Sequence, residues 1–105
     1  MAREAVRRSK SESVKLIRQC LEQGRLIITK HFREELANEH LSILDAHYVL
    51  QHGNVFNEPE FDAKHREWSY RIEGTAPDGK YVGIVFAFKA DELGTLITIF
   101  SIRTC

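Results

Sequence analysis

His65-Arg66-Glu67-Trp68-Ser69-Tyr70-Arg71-Ile72-Glu73 is the stretch that decides the fold. Trp68, Tyr70 and Ile72 alternate with Glu67, Ser69, Arg71 and Glu73, and a period of two marks a strand with one face buried. Gly74-Thr75-Ala76-Pro77-Asp78-Gly79 follows with turn chemistry: proline presets φ, aspartate bonds its own backbone and glycine accepts positive φ. Residues 81–88 are almost wholly apolar, which predicts a central strand covered on both faces. A polar connection over 89–94 leads into 95–103, a Thr/Ile/Leu run of strong β propensity.

Working outward, the N-terminal half supplies helices to cover such a sheet. A basic flexible arm is expected over residues 1–10 and a single α+β domain over 11–105. Ser9 or Ser11 can cap a helix over 12–23, with Val14, Ile17 and Leu21 as one apolar stripe, Leu16 and Cys20 beside it, and Gly24 at its end. A short strand is expected over 25–29. Thr29 then caps a helix over 30–38 with Phe32 and Leu36 inward. Ser42 and Asp45 form a capping-box variant that opens a third helix, closed by His52-Gly53, with Ile43, Ala46, Val49 and Leu50 facing the core. Residues 54–58 read as a short strand and 58–64 as an acidic, proline-interrupted loop. The expected fold class is α+β, an antiparallel sheet of four to five strands packed on two to three helices.

Composition limits the function classes. At 105 residues and 43% apolar content the chain can bury a real core without staples. Cys20 and Cys105 form no spacing motif, and no apolar run is long enough to span a bilayer, so a cytoplasmic location and no membrane partner are expected. Net charge is zero, yet residues 1–30 hold eight Lys/Arg against three Glu, a net +5 that leaves −5 for the remainder. The basic end is therefore suited to an acidic partner. Histidines at 31, 40, 47, 52 and 65 have no ligand spacing, and no glycine-rich loop opens a helix, so no metal and no cofactor are expected.

Several local patterns resemble a small bacterial family of unknown function related to the BrnT and RelE toxins. They are Ile28-Thr29-Lys30-His31-Phe32 opening a helix, the helix from Ser42 to Gly53-Asn54-Val55, Trp68 to Gly74 with the hairpin Asp78 to Phe86, and Leu96 to Arg103 as last strand. The resemblance covers about residues 25–103. It implies a RelE/BrnT-like fold, a toxin of toxin–antitoxin type that binds RNA and cleaves it without a metal, and an antitoxin protein as partner. By position, His31, Arg71 and Arg103 match the family's recurrent polar places. Glu35 and Glu39 stand where such families often carry Arg, and His40 where they carry Gly.

Cleavage by 2′-hydroxyl attack needs a base, an acid and cations for the charge that develops on phosphorus. Arg71 and Arg103 suit the last task, because a guanidinium fork meets two phosphate oxygens at once. His31 is the candidate base or acid, and Tyr81 a proton donor. Lys30, Arg33 and Lys80 are the candidate RNA contacts. The competing reading of Arg71 is a cross-strand salt bridge to Glu67 or Glu73, and that of His31 is a bond to Glu34 or Glu35 on its own helix. The alternative function is a non-catalytic protein-interaction or dimerisation module of the same fold, a homodimer being the simplest case.

Overall fold

The computed structural model describes residues 6–102, so Arg103 and Cys105 lie outside the described residues. The elements run α1 (Lys10–Glu22), β1 (Arg25–Ile28), α2 (Lys30–Asn38), α3 (Ile43–His52), β2 (Asn54–Val55), β3 (Glu60–Asp62), β4 (Glu67–Thr75), β5 (Tyr81–Ala90) and β6 (Leu93–Ser101). Each helix starts where a side-chain oxygen satisfies a free backbone amide. Ser9 accepts from Glu12 N, Thr29 from Phe32 N, and Ser42 and Asp45 close a reciprocal capping box. Arg18 on α1 donates to the Gln51 and Gly53 carbonyls at the end of α3, at 3.0 and 2.9 Å, tying the two helices together.

The strands form one six-stranded sheet in the order β1-β6-β5-β4-β2, with β3 also paired to β4. The sheet is mixed, which corrects the antiparallel expectation: β1 runs parallel to β6, with Leu26 beside Gly94 and Ile28 beside Leu96. The reason is connectivity. From β1 the chain passes through two helices and four strands before β6, long enough for the crossover that a parallel neighbour needs. A second correction concerns 58–64, expected as loop, where Glu60–Asp62 pairs with Glu67–Ser69. Residues 63–66 make the turn, so β4 begins at Glu67, two residues later than the sequence suggests, and runs on to Thr75.

Helices α1 and α3 pack on one face of the sheet. Val14, Ile17 and Cys20 from α1, Ala46, Val49 and Leu50 from α3, and Phe32 and Leu36 from α2 meet Ile72, Val82, Ile84, Phe86, Leu96 and Ile99. Burying each large side chain contributes about 1.5–3 kcal/mol, so this layer dominates stability. Ile43, expected to face inward, is 40% exposed, because the first turn of α3 overhangs the β1 edge. The opposite face of the sheet carries no helix among the described residues. That corrects the reading of β5 as covered twice. Gly83 and Ala87 are buried on this open face only because they are small. The Phe100 ring lies across Gly83, where an added Cβ would come within 2.9 Å of it.

Of the stretch expected as an arm, Arg7 and Arg8 lie against the domain. Arg7 bonds Glu58 at 2.6 Å and sits 5.4 Å from the Trp68 ring. Arg8 bonds Asp91 at 2.7 Å, stacks 4.5 Å from the Phe88 ring and donates its backbone amide to the Tyr70 hydroxyl.

Candidate functional site

The strand β4 places Ser69, Arg71 and Glu73 on the open face, by the same alternation that sends Tyr70 and Ile72 inward. The β4–β5 register sets Arg71 against Val85, Glu73 against Gly83 and Thr75 against Tyr81. Tyr81 is therefore the diagonal neighbour of Glu73, and its hydroxyl donates to Glu73 Oε1 at 3.2 Å. Arg71 Nε donates to Glu73 Oε2 at 2.9 Å, and Asn57 Nδ2 reaches the same oxygen at 3.4 Å. Glu73 is thus the hub of the open face. Its side chain is 9% exposed against 41% for Arg71, so the acid is set in the wall while the guanidinium fork still meets solvent.

Beside this hub opens a hollow of about 380 Å³, lined by Asn57, Glu58, Glu60, Arg71, Val85 and Phe100 among others. The Arg71 guanidinium lies 6.0 Å from the Phe100 ring centre. Burial foremost, then the charge of Glu73, raises the Tyr81 phenol above its ordinary 10.0, so it holds its proton at neutral pH. A carboxylate, a fork with free nitrogens and a protonated phenol can accept a proton, hold an anion and return a proton.

The other predicted residues sit elsewhere. His31 is exposed at the start of α2, with no hydrogen bond or ion pair among the described residues, and does not line the hollow. Lys30 lies 4.0 Å from Glu34, and Arg33 is exposed on the same helix. Lys80 donates to the Glu39 carbonyl at the far end of α2, roughly 13 Å along the helix from its start. The structure therefore joins Arg71 to Tyr81 through Glu73, turns the Lys80 ammonium to the Glu39 carbonyl, and leaves His31, Lys30 and Arg33 on α2.

Two residues of the site were not singled out from the sequence. Glu73 was readable, since it shares a face with Arg71 at i, i+2 and the Pro77–Gly79 turn fixes the register that brings Tyr81 across. Asn57 had no signal, because its place depends on how β2 and β3 divide one edge of β4.

A family described as "Domain of unknown function (DUF4258)" matches residues 28–101. The chain belongs to that family. The DUF4258 region starts at the last residue of β1 and ends at the last residue of β6, so it holds Asn57, Arg71, Glu73 and Tyr81 and leaves out α1. Comparison with curated proteins finds no match, and comparison with solved structures finds none. No helix among the described residues is long and apolar enough to cross a membrane.

Another polar group lies at the β3–β4 turn, where Asp62, His65 and Glu67 place ligand atoms within 4.8 Å of one another. Its geometry is already used internally. Asp62 bonds His65 Nδ1 at 2.7 Å and caps the amides of Lys64 and His65, while Glu67 bonds Lys89 at 2.7 Å.

Proposed function

We propose that this DUF4258 protein is a toxin-like, RNA-directed protein, related to the BrnT/RelE toxins, that cleaves single-stranded RNA on the open face of its sheet without a metal. The observation that carries the reading is the Glu73 carboxylate held between Arg71 and Tyr81 beside an open hollow. In the proposed step Glu73 takes the proton from a ribose 2′-hydroxyl. The 2′-oxygen bonds to phosphorus, and the bond from phosphorus to the 5′-oxygen breaks. Tyr81 gives its proton to the departing 5′-oxygen, and the protonated Glu73 returns one to Tyr81 across their existing contact, which resets the site. Arg71, tied to Glu73 through Nε, keeps its two Nη groups for the charge that grows on the phosphate. Glu73 thereby takes the proton-accepting role assigned to His31 from the sequence.

The test is cleavage of a mixed-sequence single-stranded RNA in EDTA. Cleavage is expected from the intact protein, with loss of about a hundredfold or more in Arg71→Met and in Glu73→Gln and little change in His31→Ala. An uncut RNA pool, or full activity in Arg71→Met, overturns the proposal. In cells, slowed growth on expression that Arg71→Met relieves is the corresponding expectation, with a small antitoxin as the natural partner and the cytoplasm as the natural site.

A second reading rests on a different surface. Leu21, Leu26, Ile28, Ile43, His47 and Leu50 line an almost wholly apolar groove of about 90 Å³, and Leu44 beside it is 77% exposed. Such a face fits a protein-interaction or dimerisation module. A change of oligomeric state in Leu44→Asp, read by light scattering, supports it; an unchanged monomer removes the dimer.

A further inference from the structure

We infer that the hollow beside Arg71 takes a guanine base, whose N1–H and N2 amino edge is read by Glu60. This rests on the RNA reading above and names the nucleotide that the site selects. The argument starts from charge. Glu58 and Glu60 both line the hollow, against one lining cation, Arg71, whose Nε is bonded to Glu73 and whose Nη groups serve the phosphate at the neighbouring edge. A phosphate placed there would face the Glu60 carboxylate, which no cation offsets among the described residues, so the hollow favours a group that donates hydrogen bonds. Arg7 and Lys10 occupy the Glu58 carboxylate, at 2.6 and 3.4 Å. Glu60 is exposed and has no ion-pair partner among the described residues, so its carboxylate is free to read the occupant.

The floor narrows the ligand further. Val85 and the Phe100 ring give an apolar surface, with the planar Arg71 guanidinium beside them, and unstacked bases rest on such surfaces. A volume of about 380 Å³ has room for a nucleoside. Among the four bases, guanine alone sets two adjacent donors toward one carboxylate. Adenine and cytosine pair each amino group with a ring acceptor that the carboxylate repels, and uracil offers a single N–H between two carbonyls. With the base so placed, the phosphate belongs at the neighbouring Arg71–Tyr81 edge.

The experiment titrates the full chain with guanosine, inosine, adenosine and cytidine 3′-monophosphates, followed by NMR, and maps cut sites on the mixed RNA. Guanosine monophosphate is expected to bind about tenfold or more tighter than the adenosine and cytidine forms, with inosine, which lacks the 2-amino group, between them. Glu60→Gln should bring guanosine to within about threefold of adenosine while adenosine binding stays. Equal affinity for all four, or an undiminished preference in Glu60→Gln of native spectrum, overturns the inference. The outcomes separate the two ideas. Cutting without base preference sinks the guanine site and keeps the nuclease; selective guanosine binding without cutting does the reverse.

Discussion

The bond between Arg71 and Glu73 can be tested by asking which partner depends on the other. In Arg71→Met the Glu73 carboxylate, 9% exposed, keeps only Tyr81 at 3.2 Å and Asn57 at 3.4 Å. A hydrogen bond to a charged group contributes about 1.5–3 kcal/mol. Water can replace part of it, since the fork side of the pair is open, so the loss is set near the bottom of that range, about 1.5 kcal/mol. Glu73→Leu is different. It removes the charge that costs most to desolvate and leaves an arginine that is 41% exposed and free to hydrate. Against that gain stand the lost Tyr81 bond, about 0.5–1 kcal/mol, and the longer Asn57 bond at 3.4 Å, whose exposed amide rehydrates, and the net change should lie within about 0.5 kcal/mol. The double variant should match Glu73→Leu, giving a coupling of about 1.5 kcal/mol, the whole of the Arg71→Met loss. Urea denaturation reads this directly, because at a slope near 1–1.5 kcal/mol/M the Arg71→Met midpoint falls by about 1 M and the double variant recovers most of it. Two equal single losses that simply add would refute the reasoning. RNA cleavage, by contrast, should not recover in the double variant.

Three further outcomes follow from the same coordinates. His40 has φ 56 just after α2, where its amide and that of Leu41 bond back to Ala37 and Leu36, so His40→Gly should raise stability by about 0.5–1 kcal/mol in thermal denaturation. Gly94→Ala would put a methyl 2.0 Å from the Phe86 ring, which is fully buried and cannot swing away, and a loss of about 2 kcal/mol or more is expected in urea. Burial raises the Tyr81 phenol, so the folded chain holds that proton longer than the unfolded one; the associated stability is present below about 10 and lost as pH rises through the folded value, and Tyr81→Phe should flatten the alkaline limb of a stability–pH profile.

Local chemistry made the helices legible: Thr29, Ser42 and Asp45 announce their caps, and Gly79, at φ 96, announces its turn. Period-two alternation likewise placed Tyr70 and Ile72 in the core. The parallel β1–β6 pair was not legible, because four residues of Arg-Leu-Ile-Ile carry no record of direction; only the crossover settles that. The uncovered face of β5 escaped for a related reason. Glycine and alanine at 83 and 87 give a continuous apolar run, and small size under a neighbouring ring looks the same in sequence as burial under a helix. At the site, Arg71 and Tyr81 could be picked by residue type. His31 could be picked in the same way, but a helix start on the far side of β6 has no means of reaching the β4–β5 pair.

Pro59 accounts for where the hollow opens. β2 covers the β4 edge at Ile72 and Glu73, and β3 covers it from Glu67 to Ser69. Between them Tyr70 and Arg71 have no strand partner on that side, because the chain carries Asn57, Glu58 and Pro59 where pairing would continue, and proline has no amide to give to a ladder. The excursion has three effects at once: it points Asn57 at Glu73, it brings Glu58 to Arg7 and Lys10, and it leaves the Arg71 fork open on one side. An uninterrupted edge strand would add hydrogen bonds and remove the hollow. The fold forgoes about two residues of ladder beside the place on the open face where a carboxylate, an arginine and a phenol meet, and it is this break in the edge that gives the cluster its access to solvent.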